Sequence, residues 1–167
     1  MILFHGSHLE IPHIDLGYCN PYKDFGRGFY LTSLKEQAHE WAVKVAKRKS
    51  NVVPILNIYE FHENVSDLNS LVFHAPDSEW AQFIINNRNR DFKDFQNRLS
   101  NHDNKYDLVH GFVANDDISV ILETFLLGIL PMSELSHALI YKKLNDQYSF
   151  HTAKALTYLK FIGSEKL

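Results

Sequence analysis

The fold of this chain is decided by the stretch DFGRGFYLT, residues 24–32, taken together with His5-Gly6-Ser7 near the N-terminus. The residues from Met1 to His5 form a short apolar run that a glycine and a serine stop. This pattern is typical of a first strand that delivers its last residues to a surface site. Between the two motifs, the stretch 11–23 contains two prolines and a glycine and predicts a loop.

The residues after the second motif predict a helix from about Leu34 to Lys49. Ser33-Leu34-Lys35-Glu36 has the form of a capping box, in which a serine and a glutamate side chain satisfy amides of the first turn. Apolar residues then recur at helical spacing, at Ala38, Trp41, Ala42, Val45 and Ala46. The charged residues of 44–49 are interpreted as the solvated face of this helix, with a nucleic-acid contact as the alternative.

The remaining pattern alternates strands and helices without an internal repeat or a linker. Strands are predicted at 52–61, 106–113 and 139–142, where branched and aromatic residues concentrate. Helices are predicted from Ser78 as cap, around Phe92 and Phe95, from Asp116 to a stop at Gly128, from Met132 and from Thr152. One α+β domain spanning residues 1–167 is the simplest interpretation.

From the composition we expect a globular protein of the cytoplasm. With 167 residues, 45% of them hydrophobic, the chain can bury a substantial core without disulfide bonds. Its single cysteine, Cys19, cannot form an internal bridge, whereas exported proteins more often carry paired cysteines. No targeting signal and no run of about 18 apolar residues is visible, so we expect no membrane span. The net charge of -3 gives no sign of a phosphate-backbone partner.

Several common kinds of site are excluded by spacing. His5 and His8 lack a third ligand at a recognisable distance, and neither His39-Glu40 nor His62-Glu63 is followed by a histidine three residues after the glutamate. We therefore expect no metal site. The chain also has no nucleophile elbow and no phosphate-binding Gly-Lys-Ser/Thr loop.

His5-Gly6-Ser7 at a strand end, followed by residues 24–32 and a helix, resembles the ADP-ribosyltransferase superfamily in residue type and order. In particular, the chain resembles a bacterial family of unknown function placed in that superfamily, which also shows the late segment seen here as YKKLNDQYSFHT, residues 141–152. The resemblance extends from His5 to Leu159. It implies a split β-sheet sandwich with peripheral helices and a cleft that binds NAD as substrate.

The resemblance assigns roles to the first motif and to Tyr30. His5 would hydrogen-bond a ribose hydroxyl, while the backbone of Gly6 would pair with the nicotinamide carboxamide, an approach that the absence of a side chain permits. Ser7 would add a hydroxyl contact. Tyr30 offers an aromatic face to the nicotinamide ring, an attraction of about 0.5 to 2 kcal/mol.

Within the second motif, Gly26 and Gly28 would let the loop lie close to the ligand, and Arg27 would pair with the pyrophosphate through its planar guanidinium. The superfamily's third position is usually a glutamate that binds a ribose hydroxyl and stabilises the cationic transition state. Here Gln147 aligns with it, and a glutamine can hold the hydroxyl but supplies neither charge nor a general base.

Other carboxylates within reach of the cleft would have to come from Asp107, Asp116, Asp117 or Glu123, none of which lies in a motif. Further along the chain, His151-Thr152 is interpreted as the cap of the last helix rather than as a catalytic pair.

The function that the resemblance implies is an NAD-dependent ADP-ribosyltransferase that modifies a macromolecular acceptor, either protein or nucleic acid. His5, Tyr30 and Gln147 would be its catalytic residues. Such an activity suits a bacterial toxin with an antitoxin-like partner. Three alternatives stay open: an NAD glycohydrolase that uses water as acceptor, a non-catalytic NAD-binding or interaction module that lost the glutamate, and a transferase guided to nucleic acid by residues 44–49 or by Arg88 and Arg90.

Overall fold

The computed structural model describes residues 1–114, 116–131, 133–135 and 145–167, and it has a mixed α+β architecture with two β-sheets. Its strands are β1 (Ile2–Ser7), β2 (Phe29–Leu31), β3 (Ile55–Phe61), β4 (Ser70–Val72), β5 (Leu108–Phe112), β6 (Asp146–Phe150) and β7 (Leu159–Lys166). Among the described residues, the α-helices are α1 (Lys35–Ala46), α2 (Ser78–Arg88), α3 (Asp116–Leu126) and the short α4 (Ala153–Leu156), and Leu16–Tyr18 form a 3-10 helix. The prediction of an α+β fold is confirmed.

Among the described residues, one backbone bridge joins the two sheets, between β1 and the residue that follows β2. The first sheet has the order β1-β3-β7 and is antiparallel throughout, whereas the second has the order β2-β6-β5-β4, with β4 and β5 parallel. Phe4 and Thr32 exchange both backbone hydrogen bonds, with N···O distances of 2.8 and 3.0 Å. Beyond this pair the described ladders contain no further pairing of β1 with β2. The two strands therefore separate at residue 5.

Two apolar clusters hold the sheets in place. One lies on the α2 and α3 side of the second sheet and contains Phe25, Trp80, Phe83, Val109 and Ile118, and the other contains Leu3, Phe29, Leu31, Tyr59 and Phe150. Because side chains alternate along a strand, Phe29 and Leu31 enter the second cluster while Tyr30 packs against the first.

Helix α1 packs against β1 through three buried alanines, Ala38, Ala42 and Ala46. The contact requires a glycine in the strand. A Cβ atom on Gly6 would lie 2.1 Å from the Ala38 carbonyl oxygen and 2.6 Å from the Ala42 nitrogen. The glycine of the first motif therefore has a packing role that is separate from the expected approach of a ligand.

The predicted capping box at Ser33 is wrong. Helix α1 begins at Lys35 and its N-cap is Leu34, whose side chain cannot accept a hydrogen bond. Instead, the Ser33 amide donates to the Asp146 carboxylate at 3.2 Å, and Thr32 Oγ1 accepts from the Leu34 amide at 3.1 Å. The predicted cap at Ser78 is also displaced by one residue, because Asp77 is the residue that accepts from the Trp80 amide at 3.0 Å.

The predicted helix around Phe92 and Phe95 is absent from the structure, where residues 89–105 form turns. Asparagine side chains there bind nearby amides, as Asn89 Oδ1 does with the Asp91 amide at 2.9 Å, and such local bonds compete with a helix. The predicted strands at 52–61 and 106–113 are confirmed as β3 and β5, and α3 ends as expected before Gly128, which has a φ of +70°.

The prediction of a final helix from Thr152 is correct for only four residues. Thr152 caps α4 as expected, since its Oγ1 accepts from the Ala155 amide at 3.2 Å. The following residues form β7 because their backbone completes a ladder with β3. The strand expected at 139–142 and the helix start at Met132 lie outside the described residues. Within the described ranges, no helix combines the length and apolarity needed to cross a membrane.

Candidate functional site

A cavity of about 1030 Å³ is lined by residues from both sides of the split between β1 and β2. Five of the eight expected site residues line it, and these are His5, Gly6, Gly28, Tyr30 and Gln147. The other three, Ser7, Gly26 and Arg27, are not among the lining residues. The structure thus brings together residues from three segments that lie far apart in the sequence, namely the His5 motif, the stretch 24–32 and the segment that contains Gln147.

His5 stands at the point where the strands separate. Its Nδ1 lies 2.7 Å from the Tyr30 carbonyl oxygen, and because a carbonyl only accepts, this nitrogen carries the proton. The ring stacks on Phe29 with centroids 4.5 Å apart. Burial lowers the pKa of His5, so the imidazole is neutral and its Nε2 is an acceptor on the cavity side.

Gly6 presents its backbone to the same cavity. Backbone groups alternate direction along a strand, so those of Gly6 point the same way as those of Phe4, toward β2. A continued ladder would pair Gly6 with Tyr30, but the Tyr30 carbonyl is bonded to the His5 ring instead. The amide and the carbonyl of Gly6 therefore face the gap side by side, outside any described ladder.

Tyr30 uses its hydroxyl to close its own loop. The hydroxyl donates to the Gly26 carbonyl at 2.7 Å and accepts from the Phe25 amide at 2.9 Å. Burial, and secondarily the charge of Asp24, raise the pKa of Tyr30, so the phenol stays protonated. The ring is the part of Tyr30 that a ligand can contact.

Packing also fixes the glycines of the second motif. Gly26 has a φ of +90°, a conformation that favours glycine. A Cβ atom on Gly28 would lie 2.5 Å from Ser149 Oγ and 2.7 Å from His151 Nδ1. Arg27 points outward, and its carbonyl accepts from His151 Nδ1 at 2.7 Å. His151 is therefore a buried structural residue, and burial lowers its pKa to about 4.

Gln147 is buried, and its orientation follows from its partners. Its Nε2 lies 3.1 Å from Asp24 Oδ2 and 2.9 Å from the Phe112 carbonyl oxygen. Both partners accept, so both protons of the amide nitrogen are used. The side-chain oxygen, Oε1, is left as the atom that can accept a hydrogen bond from a ligand.

An ion pair between Asp24 and Arg88 lies behind Gln147, and the sequence reasoning did not anticipate it. The Arg88 Nε and Nη2 atoms lie 3.0 and 2.8 Å from Asp24 Oδ1, and Nη1 lies 2.8 Å from Ser119 Oγ. All three of these side chains line the cavity. One signal was available, because Asp24 is the first residue of the stretch that decides the fold.

The carboxylates that the sequence offered instead lie elsewhere. Asp107 accepts from the Thr152 hydroxyl at 2.6 Å and from the Asn69 amide at 2.9 Å, so it holds the segment after β6 in place. Asp117 and Glu123 are exposed on α3 and do not line the cavity. The side chain of Asp116 is outside the described part of the structure.

Comparison with known proteins matches the chain to a family. The family model described as "Protein of unknown function (DUF3990)" matches residues 1–161. No curated protein and no solved structure matches the chain. The matched range contains every lining residue of the cavity, from Phe4 to Gln147.

Proposed function

We propose that the chain, which belongs to the DUF3990 family, binds NAD in this cavity and transfers the ADP-ribose to a macromolecular acceptor. The observation that carries the proposal is the split of β1 from β2 at His5. The cavity beside this split is lined by a backbone donor and acceptor from Gly6, the neutral imidazole of His5 and the side-chain oxygen of Gln147. These groups suit a flat carboxamide joined to a sugar.

At the nicotinamide end, the Gly6 amide and carbonyl match the carbonyl and the amino group of a carboxamide, because each offers what the other lacks. Two parallel hydrogen bonds of this kind fix the plane of the ring. The ring of Tyr30 then provides an aromatic surface beside it, which favours a positively charged pyridinium.

At the ribose, His5 Nε2 and Gln147 Oε1 act as acceptors, and sugar hydroxyls donate to both. Asp24 accepts from the Gln147 amide nitrogen, and this polarises the amide toward its oxygen. When the bond between C1′ and the nicotinamide nitrogen breaks, its electron pair neutralises the pyridinium. Oε1 stabilises the positive charge that develops on the sugar, and the acceptor attacks C1′ and loses a proton to solvent.

The hydrogen-bond partners of Gln147 suit a glutamine at this position better than a glutamate. A glutamate at this position would set a carboxylate oxygen against Asp24 Oδ2 and the Phe112 carbonyl, where Nε2 now donates. Repulsion between these oxygen atoms would push the side chain at position 147 out of its present orientation. The proposed enzyme therefore relies on a polarised amide in place of a formal charge, and we expect slow turnover.

The test is incubation with NAD labelled in its adenylate phosphate, with nicotinamide release and transfer of label to bacterial extract measured together. Protease and nuclease treatment then identify the acceptor class. His5→Ala and Gln147→Ala should each abolish both signals. His39→Ala is the matched control, because His39 is exposed on α1 and does not line the cavity.

Each other result has a distinct meaning. Nicotinamide release without transfer of label would identify a glycohydrolase, and NAD binding without release would identify a non-catalytic module. Absence of NAD binding at millimolar concentration would overturn the proposal. If the acceptor is essential to a bacterium, production of the protein should arrest growth, and an antitoxin-like partner should relieve the arrest.

A further inference from the structure

One face of α1 lines the cavity with a polar and aromatic stripe. Gln37, Trp41 and Lys44 recur at helical spacing on this face, and Arg48 continues the stripe just past the helix end. Trp41 is 41% exposed, although the chain buries its other tryptophan, Trp80, completely. An exposed indole in the wall of a cavity contributes little to the core and is available to a ligand.

Two lysines lie close to this indole. Lys23 Nζ lies 5.6 Å and Lys44 Nζ lies 5.5 Å from the centroid of the Trp41 ring, and Arg48 lines the same cavity. Glu40 is the acidic residue of this helix face. These three cations stand beside Glu40 in this part of the wall, and the cavity lining as a whole also includes the carboxylates of Glu10, Asp15 and Asp24.

The geometry points to a subsite for the base and the phosphates of a nucleotide at Trp41, Lys23, Lys44 and Arg48. The indole stacks on the base, and the three cations bind the phosphate oxygens. The inference rests on the proposed function, which it deepens by assigning the adenosine diphosphate half of the substrate to the α1 wall.

The size and the contents of the cavity support this assignment. A volume of about 1030 Å³ is far larger than a nicotinamide ring requires and lies at the upper end of the range for small-molecule sites. The Arg88 guanidinium, which also lines the cavity, is bonded to Asp24. Arg27, the residue expected to bind the pyrophosphate, lies outside the cavity, so the phosphates need another partner.

The experiment uses ADP as the probe, because ADP carries the base and the phosphates without nicotinamide. ADP should quench the fluorescence of exposed Trp41, while buried Trp80 should keep its emission. By calorimetry, Trp41→Ala should weaken ADP binding about tenfold. Lys44→Ala and Arg48→Ala should each weaken it about threefold to tenfold at low ionic strength, and less at high salt. Lys47→Ala is the matched control, because Lys47 is exposed at the end of the same helix and does not line the cavity.

The subsite is overturned if Trp41→Ala leaves ADP affinity unchanged, or if Lys47→Ala lowers it as much as Lys44→Ala does. It is also overturned if a short single-stranded oligonucleotide binds the α1 wall far more tightly than ADP with a steep salt dependence, since the wall would then be a nucleic-acid contact. Failure of the proposed function looks different. ADP would bind at Trp41, but NAD would bind no more tightly than ADP and would release no nicotinamide. If Trp41→Ala still releases nicotinamide with an unchanged KM for NAD, the proposed function stands but the subsite at Trp41 is wrong.

Discussion

Replacement of Gly6 by alanine tests whether this glycine is required by helix packing. The new Cβ atom would lie 2.1 Å from the Ala38 carbonyl oxygen, so α1 would have to move by about 1.3 Å to restore an ordinary contact. Overpacking of this kind costs about 1 to 3 kcal/mol. We expect the upper end, about 3 kcal/mol, because the blocking atoms belong to the helix backbone and no rotamer change can move them.

The measurements are urea unfolding for the free energy and thermal unfolding for the melting temperature, both followed by far-UV circular dichroism. The melting temperature should fall by about 6 to 12 °C. Gly128→Ala is the matched control. Gly128 has a φ of +70° but no neighbouring atom within 4 Å, so alanine there incurs only the backbone cost of about 1 kcal/mol. The reasoning is refuted if Gly6→Ala unfolds within about 0.5 kcal/mol of the wild type, or loses no more stability than Gly128→Ala.

Three further predictions concern the polar groups around the cavity. Arg88→Met leaves the Asp24 carboxylate without its cation and should cost about 2 kcal/mol, less than for a fully buried pair because the Arg88 side chain is 33% exposed. A double-mutant cycle with Asp24→Asn measures the coupling, and additive losses would contradict it. For His151, the folded-state pKa of about 4 lies below the unfolded value of about 6.5, so unfolded chains take up the proton first as the pH falls. Stability should decline by about 3 kcal/mol from pH 6.5 to pH 4, and His151→Phe should flatten that decline in urea titrations across this range. Tyr30→Phe removes the partner of the Phe25 amide and should cost about 1 to 2 kcal/mol, while calorimetry should find NAD affinity retained because the ring remains.

Local patterns sufficed to predict the elements that frame the site. The run before Gly6 predicted β1, and the apolar spacing after Thr32 predicted a helix, because both signals depend on residues that are close in the sequence. The same reasoning failed for β7, whose backbone bonds go to β3, about a hundred residues earlier. A segment that completes a distant ladder need not carry a strong local signal.

The chemistry of the site was predictable as residue types but not as partners. His5, Tyr30 and Gln147 line one cavity, yet the groups that orient His5 and Gln147 come from other parts of the chain. Arg88 reaches Asp24 across 64 residues, a pairing that no spacing rule indicates. Gly6 shows the opposite problem, because a packing requirement and a binding role both demand a glycine, and the sequence does not separate them.

The His5 side chain acts as a wedge in the hydrogen-bond ladder. By occupying the Tyr30 carbonyl, it takes the place of the Gly6 amide, and this prevents the first sheet from joining the second along the whole of β2. With a small residue at position 5, we expect Gly6 to pair with Tyr30, so that β1 and β2 would join the two sheets into one continuous sheet. The opening is thus an interrupted β-ladder with an imidazole bonded at the point of interruption, and a variant without this ring is expected to lose space for a ligand along with the contact.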